Sequence, residues 1–255
     1  MASTINRLAS VPQCLAFLLM LVPIAAFGQA TVDFKIGQRE SWVGQPLSLR
    51  VEITNAESHE AQYEVTVTNI TKGVKFTPFI AAAHSAALSF FEIGESATDE
   101  IAQIAEGGNI APMQTLLDGS AAVFGTASTG GLLMPGESVS FELTTPVYGV
   151  WWGKLSLAAM LLPTNDTFVS LNGVRLPRHG SVSYLADAYD AGSEPNDELC
   201  ASVPGPTCGG EGYSPAVDGE GFVYPAPGTH GEGDLSVAQF GWSGPVAKVT
   251  ITRLD

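Results

Sequence analysis

The chain has 255 residues, 45% of them hydrophobic and 15% charged, and its 26 acidic against 11 basic residues give a formal charge of −15. That apolar content supplies a large core, while 28 Gly and 16 Pro favour many turns and short strands over long helices, so a single all-β domain is expected. The acidic balance repels nucleic acid and anionic lipid and is a generic reason to look for divalent cations that offset self-repulsion, although a soluble exported protein has the same look.

Residues 1–30 read as a removable export signal. Arg7 gives a positive start, Cys14 to Phe27 is apolar apart from Pro23, and Gly28-Gln29-Ala30 supplies small residues for cleavage before Thr31. The apolar run is short for a span of about 20 residues, so no membrane span is expected after cleavage. The mature protein is expected to be secreted, periplasmic or extracellular.

Residues 31–62 form an N-terminal strand extension ahead of the main domain, 63–255. In it, Leu47, Leu49, Val51 and Ile53 alternate with polar neighbours, which predicts a half-buried strand over 46–54. Tyr63, Val65 and Val67 resume the alternation after a polar connector, and the two strands could pair as a hairpin across it. Asn69 and Asn165 each open an Asn-x-Thr pattern, a short motif that is frequent by chance and is discounted here.

A first helix is predicted from Ser96 as cap with Asp99 as capping-box partner, an Ile101, Ile104 and Ala105 stripe, and Gly107-Gly108 as stop. Pro112 opens a second short helix with Met113, Leu116 and Leu117 inward and Gly119 after it. Both are expected to cover one end of the sheet. Glu92, Glu95, Asp99, Glu100 and Glu106 around the first helix read as a solvated face.

Val139, Phe141 and Leu143 alternate with Ser140, Glu142 and Thr144, so Glu142 falls on the polar side of a strand expected to neighbour the next one. That next strand, Leu155 to Leu162, is apolar at nearly every position, as suits burial on both faces, and it ends at Pro163. Asp166 follows in the turn. Ser183 to Tyr189 is another strand, and Asp190 follows it with Gly192 allowing a tight bend. Two carboxylates at two strand ends could therefore meet at one rim of a sheet. The plainer account is turn capping, because Asp bonds backbone N–H groups two residues on. Salt bridges to Arg175 or Arg178, in the loop between the turns, are another.

Cys200 and Cys208 lie in a Pro/Gly-rich loop and are the cysteines left after cleavage, which in an exported chain points to a disulfide. Zinc is disfavoured, since two thiolates with no nearby His are too few. Residues 209–233 read as a long irregular loop, and Val246 to Leu254 as a closing strand. His84, in an apolar run, reads as a hydrogen-bonded core residue. There is no Gly-x-Ser-x-Gly, His-Glu-x-x-His, P-loop or dinucleotide fingerprint. A carboxylate pair could serve glycoside hydrolysis, with Trp151, Trp152 and Trp242 as the available aromatic platforms.

Several segments together, FTPFIAAAHS at Phe76 to Ser85, SATDEIAQIAEGG, PTNDTFVSLNGV, AYDAGSE and the terminal PVAKVTITRL, resemble the spondin N-terminal domain family in the family's order, over about residues 61 to 254. The resemblance implies an antiparallel β-sandwich similar to calcium-binding C2 modules, with one or two short helices. It implies calcium held by Asp166 and Asp190, with Glu142 the nearest match to a strand glutamate that assists them. It also implies a non-catalytic adhesion or binding module whose partner is an extracellular protein or a surface glycan. The competing expectations are an exported carboxylate-pair hydrolase acting on a polysaccharide and an envelope protein whose ion braces loops.

Overall fold

Residues 60–69, EAQYEVTVTN, alternate between exposed and buried positions along their length, so β3 (Glu60–Asn69) forms with Tyr63, Val65 and Val67 turned to the core, as the period predicts. The computed structural model describes residues 30–35, 50–55, 60–146, 149–214 and 218–254. The expected export signal, up to Gln29, lies outside them.

The chain divides into two units, Met1–His59 and Glu60–Asp255. In the first, β1 (Ala30–Lys35) pairs antiparallel with β2 (Arg50–Asn55), Ala30 facing Asn55 and Lys35 facing Arg50. This corrects the hairpin expected between the 46–54 strand and the strand from Tyr63. Both edges of β3 are already taken, by β7 (Ser138–Pro146) on one side and β12 (Ala247–Arg253) on the other. Residues 46–49 lie outside the described ones.

The second unit is one ten-stranded antiparallel sheet. Its remaining strands are β4 (Lys75–Phe76), β5 (Ile80–His84), β6 (Val123–Ser128), β8 (Lys154–Leu162), β9 (Thr167–Arg175), β10 (Ser181–Asp190) and β11 (Tyr224–Pro225). They run in the order β6, β5, β8, β9, β10, β12, β3, β7, with β4 beside β8 and β11 beside β10. The two end strands approach each other. Gly125 on β6 lies so close to the Thr144 carbonyl on β7 that any Cβ would overlap it, and Phe124, Val139 and Phe141 pack on the same core. The sheet thus nearly closes on itself, and the two layers of the expected sandwich are opposite walls of one sheet.

The apolar run of β8 is explained by burial on both faces. Leu155, Leu157, Ala159 and Leu161 point into the main core with Val65, Val67, Val249 and Ile251. Ala158 points outward into a second core with Ile80, Phe168 and two helices, α1 (Asp99–Gly107) and α2 (Ala111–Asp118). Ile101, Ile104 and Ala105 are buried there as expected, and Gly108, at φ 64°, ends α1. The helices cover the outer face of the wall rather than an end of the sheet. Three details differ from expectation. Thr98, not Ser96, caps α1, accepting from Ile101 N at 3.4 Å, while Ser96 Oγ donates to Gly221 O at 2.9 Å. Leu116 is 50% exposed, because α2 is short and presents only Met113 and Leu117 to the core. Glu106 is buried, on the side of α1 that faces the loop carrying Ser214.

Two four-residue helices complete the unit, α3 (Gly149–Trp152) and α4 (Val237–Phe240). Cys200 and Cys208 are bonded, with Cα atoms 4.7 Å apart. Residues 209–233 are irregular where described apart from β11, as expected. His84 is fully buried, with Nδ1 2.7 Å from Ser85 O and Nε2 2.8 Å from Ser156 Oγ, and burial pushes its pKa down. It is a core residue. Asn69 and Asn165 are buried and bonded through both side-chain ends, which agrees with discounting them as glycan acceptors.

Candidate functional site: an acidic rim at the ends of β9 and β10

β8 ends at Leu162, the turn through Thr164 and Asn165 follows, and Asp166 stands immediately before β9. Thr164 Oγ1 donates to Leu161 O at 2.6 Å and accepts from Thr167 N at 3.3 Å, fixing that turn. β10 runs antiparallel to β9 and sets its last residue, Asp190, opposite Thr167. The two aspartates therefore share one rim, as the sequence suggested. Both are fully buried.

The second turn folds over the first. Asp166 Oδ2 accepts from Ser193 N at 2.8 Å and from Glu194 N at 3.0 Å, while Ala191 N donates to Asp166 O at 3.1 Å. Asp190 Oδ1 accepts from Gly192 N at 2.8 Å and Oδ2 from Asn196 Nδ2 at 2.7 Å. Gly192 is at φ 64°, and its backbone lies against Phe222 so closely that a side chain would collide. Hydrogen bonds thus account for three of the four carboxylate oxygens, and only one of these, Gly192 N to Asp190 Oδ1, is the turn cap that the spacing suggests. The fourth, Asp166 Oδ1, is buried with no hydrogen-bond partner.

Glu194, the last residue of the AYDAGSE segment, is a site residue that spacing alone does not single out. It is 3% exposed, and its Oε2 is also buried without a partner. Behind it lies Glu106, 1% exposed, whose Oε2 accepts from Ser214 N at 2.6 Å. A cavity of about 130 Å³ lies beside Glu194, lined also by Asn165, Asp197, Ser202, Glu211 and Ser214. The signal for Glu194 was its place two residues after the bend, where the chain must turn back over Asp166.

Glu142 is not part of this rim. It is exposed on β7 and faces Glu64 on β3, and β7 does not neighbour β8. In the strand order β10, β12 and β3 separate β9 from β7 on one side, and β8, β5 and β6 on the other. Alternation placed its side chain correctly, but alternation carries no information on which strand lies next door. Arg175 and Arg178 are also elsewhere: Arg175 faces Lys154 at the far end of β9, and the Arg178 guanidinium lies 4.2 Å from the Trp151 ring centroid. Neither pairs with the aspartates.

With no arginine in the rim, its electrostatics are those of crowded carboxyls. Burial, then the neighbouring Asp190, pushes Asp166 up to about 7. Burial pushes Asp190 up to about 6, against the donors Asn196 and Gly192. Burial and Glu106 push Glu194 up to about 8. Among the described residues no three His, Cys, Asp or Glu side chains are grouped so as to hold a metal ion by themselves. The donor set nonetheless fits a hard cation. Two orphaned carboxylate oxygens are available, and such ions take backbone carbonyls and water besides.

The fold and site define an antiparallel β-module with a buried acidic rim, and its disulfide is a bond that persists in oxidising, extracellular-type compartments. The Spondin_N family model matches residues 51–194, more than half of the chain, and the chain belongs to the spondin N-terminal domain family. The match begins within β2, ahead of the boundary at residue 63 expected for the family-like domain. No curated protein matches the chain.

Proposed function

We propose that this chain is an exported, non-catalytic module that binds calcium at the acidic rim through Asp166, Asp190 and Glu194 and adheres to an extracellular protein or surface glycan. The observation that carries the reading is that Asp166 Oδ1 and Glu194 Oε2 are buried and partnerless, in a cluster of carboxyls that no Lys or Arg among the described residues neutralises. Calcium would supply the missing positive charge and hold the two turns together, and Asp190, already positioned by Gly192 and Asn196, would complete the carboxylate set.

Calorimetric scans in calcium and in chelator test this. An ion that binds only the native state stabilises by RT ln(1 + [L]/Kd), about 2.7 kcal/mol at a hundredfold excess over Kd. Asp190→Asn is expected to lose most of that increment while melting no lower than wild type in chelator, since it removes one repulsive charge. Identical wild-type melting in both buffers would sink the reading.

Carboxyls pushed to about 6 and 7 would also suit general acid–base hydrolysis of a glycan. Two observations weigh against it. The 130 Å³ cavity is below the roughly 300 to 1,000 Å³ of ordinary ligand pockets, and of the three tryptophans only Trp242 lies near the rim, beside Thr164, Asn165 and Asn196, while Trp151 and Trp152 lie at the other end of the sheet. Polysaccharide turnover assays on the calcium-loaded protein separate the two readings.

A further inference from the structure

Within Glu60–Asp255 the basic residues are few and unevenly placed. Lys154, Arg175, Arg178 and Arg253 gather at one end of the β8, β9, β10 and β12 wall, leaving Lys72, Lys75 and Lys248 for the rest. Lys154 faces Arg175 across the β8–β9 ladder, and Arg253 Nη1 donates to Arg178 O at 2.9 Å. Two aromatic side chains stand in the same place: Trp151 is 57% exposed beneath the Arg178 guanidinium, and Trp152 is 73% exposed two residues before Lys154. Large aromatics at such exposure mark contact surfaces rather than core. Among the described residues the acids at this end are Glu60, Glu64 and Glu142 on β3 and β7, and Glu64 faces Thr252, next to Arg253, across the β3–β12 ladder.

We propose that this end of the barrel is a docking surface for the headgroup layer of an anionic lipid bilayer. Charge complementarity names the sign of the partner, and the tryptophans name its form. Consecutive residues of a helix project about 100° apart, so the two rings cannot make one flat platform for successive sugars. Indole rings flanked by Lys and Arg do suit a lipid–water interface, where the apolar body sinks to headgroup level and the cations meet phosphates. The net negative charge of the chain does not forbid this. Asp166 and Arg175 bracket the nine residues of β9, roughly 30 Å of strand, several times the screening length of about 8 Å at physiological salt.

The proposal is independent of the calcium reading and is tested in chelator. The full exported chain is mixed with vesicles of phosphatidylglycerol and phosphatidylcholine, or of phosphatidylcholine alone, and followed by cosedimentation and tryptophan emission. Binding to the anionic vesicles alone is expected, with a blue-shifted emission and a loss of affinity as salt rises. Trp151→Ala/Trp152→Ala and Arg175→Glu/Arg178→Glu should each weaken it tenfold or more, while Asp190→Asn at the opposite rim binds as wild type. Trp152→Glu serves if the double tryptophan variant melts lower. Equal binding by wild type, the double tryptophan variant and the double arginine variant overturns the proposal, as does absence of vesicle binding. Capture of soluble polygalacturonate that depends on Arg175 and Arg178, without vesicle binding, overturns it in favour of a glycan.

Discussion

Asp166 Oδ1 and Glu194 Oε2 lie inside the protein with nothing donating to them, and a buried polar atom left unpaired costs about 1–3 kcal/mol. Proteins seldom leave such atoms unpaired unless something else satisfies them. Glu194 and Glu142 therefore make a decisive pair of variants. Glu194→Gln should weaken calcium binding roughly tenfold or more, about 1.4 kcal/mol, whereas Glu142→Gln, on the opposite wall, should leave it unchanged. Titration calorimetry on both reads this directly, and equal effects would return Glu142 to the site. The aspartates were legible because a carboxylate ending an apolar strand can be read from spacing. Glu142 misled because the strand order that separates it from the rim depends on long-range pairing, which alternation does not encode. Glu106 misled because an acid on a short helix reads as solvated until the loop carrying Ser214 is seen to cover it.

Strands proved more legible than their partners. β8, β10 and β12 fall within two residues of where periodicity set them, and both helices stop at the predicted glycines. The pairing of β3 with β7 and β12 spans long stretches of chain, and only the closed order of the sheet fixes it. The Cys200–Cys208 loop was legible from compartment logic, and it is also anchored through its backbone: Cys200 N donates to Asp234 Oδ2 at 2.8 Å and Gly210 N to Val203 O at 2.9 Å. Cys200→Ser/Cys208→Ser should cost about 2–3 kcal/mol by freeing a short loop of the unfolded chain, with the sheet intact. Denaturant unfolding monitored by circular dichroism measures the loss, and thiol titration of the denatured, unreduced wild type should find no free thiol.

The three rim carboxyls together make the stability of the whole molecule depend on pH. Asp166, Asp190 and Glu194 sit at about 7, 6 and 8 in the native state, above the ordinary values of 3.8, 3.8 and 4.5. The native protein thus binds more protons than the unfolded chain between about pH 4 and 8. Their contribution is fully present below the lower values and is lost as pH rises through the higher ones. In chelator the denaturation midpoint should accordingly fall from pH 5 to pH 8. Calcium, which needs the carboxylates ionised, should raise the midpoint more at pH 8 than at pH 5. A flat profile in chelator would show that the rim keeps its charges by other means.

The barrel nearly closes at one glycine. β6 and β7 are the two ends of the strand order, each with one edge outside the hydrogen-bonded path, and unprotected edges are where β-proteins recruit other chains into shared sheets. The missing side chain of Gly125 lets the β7 backbone lie against β6, each strand shielding the other. A β-protein in any compartment meets many unrelated chains with edges of their own. In this one, the absence of a single methyl group helps to keep it from joining them.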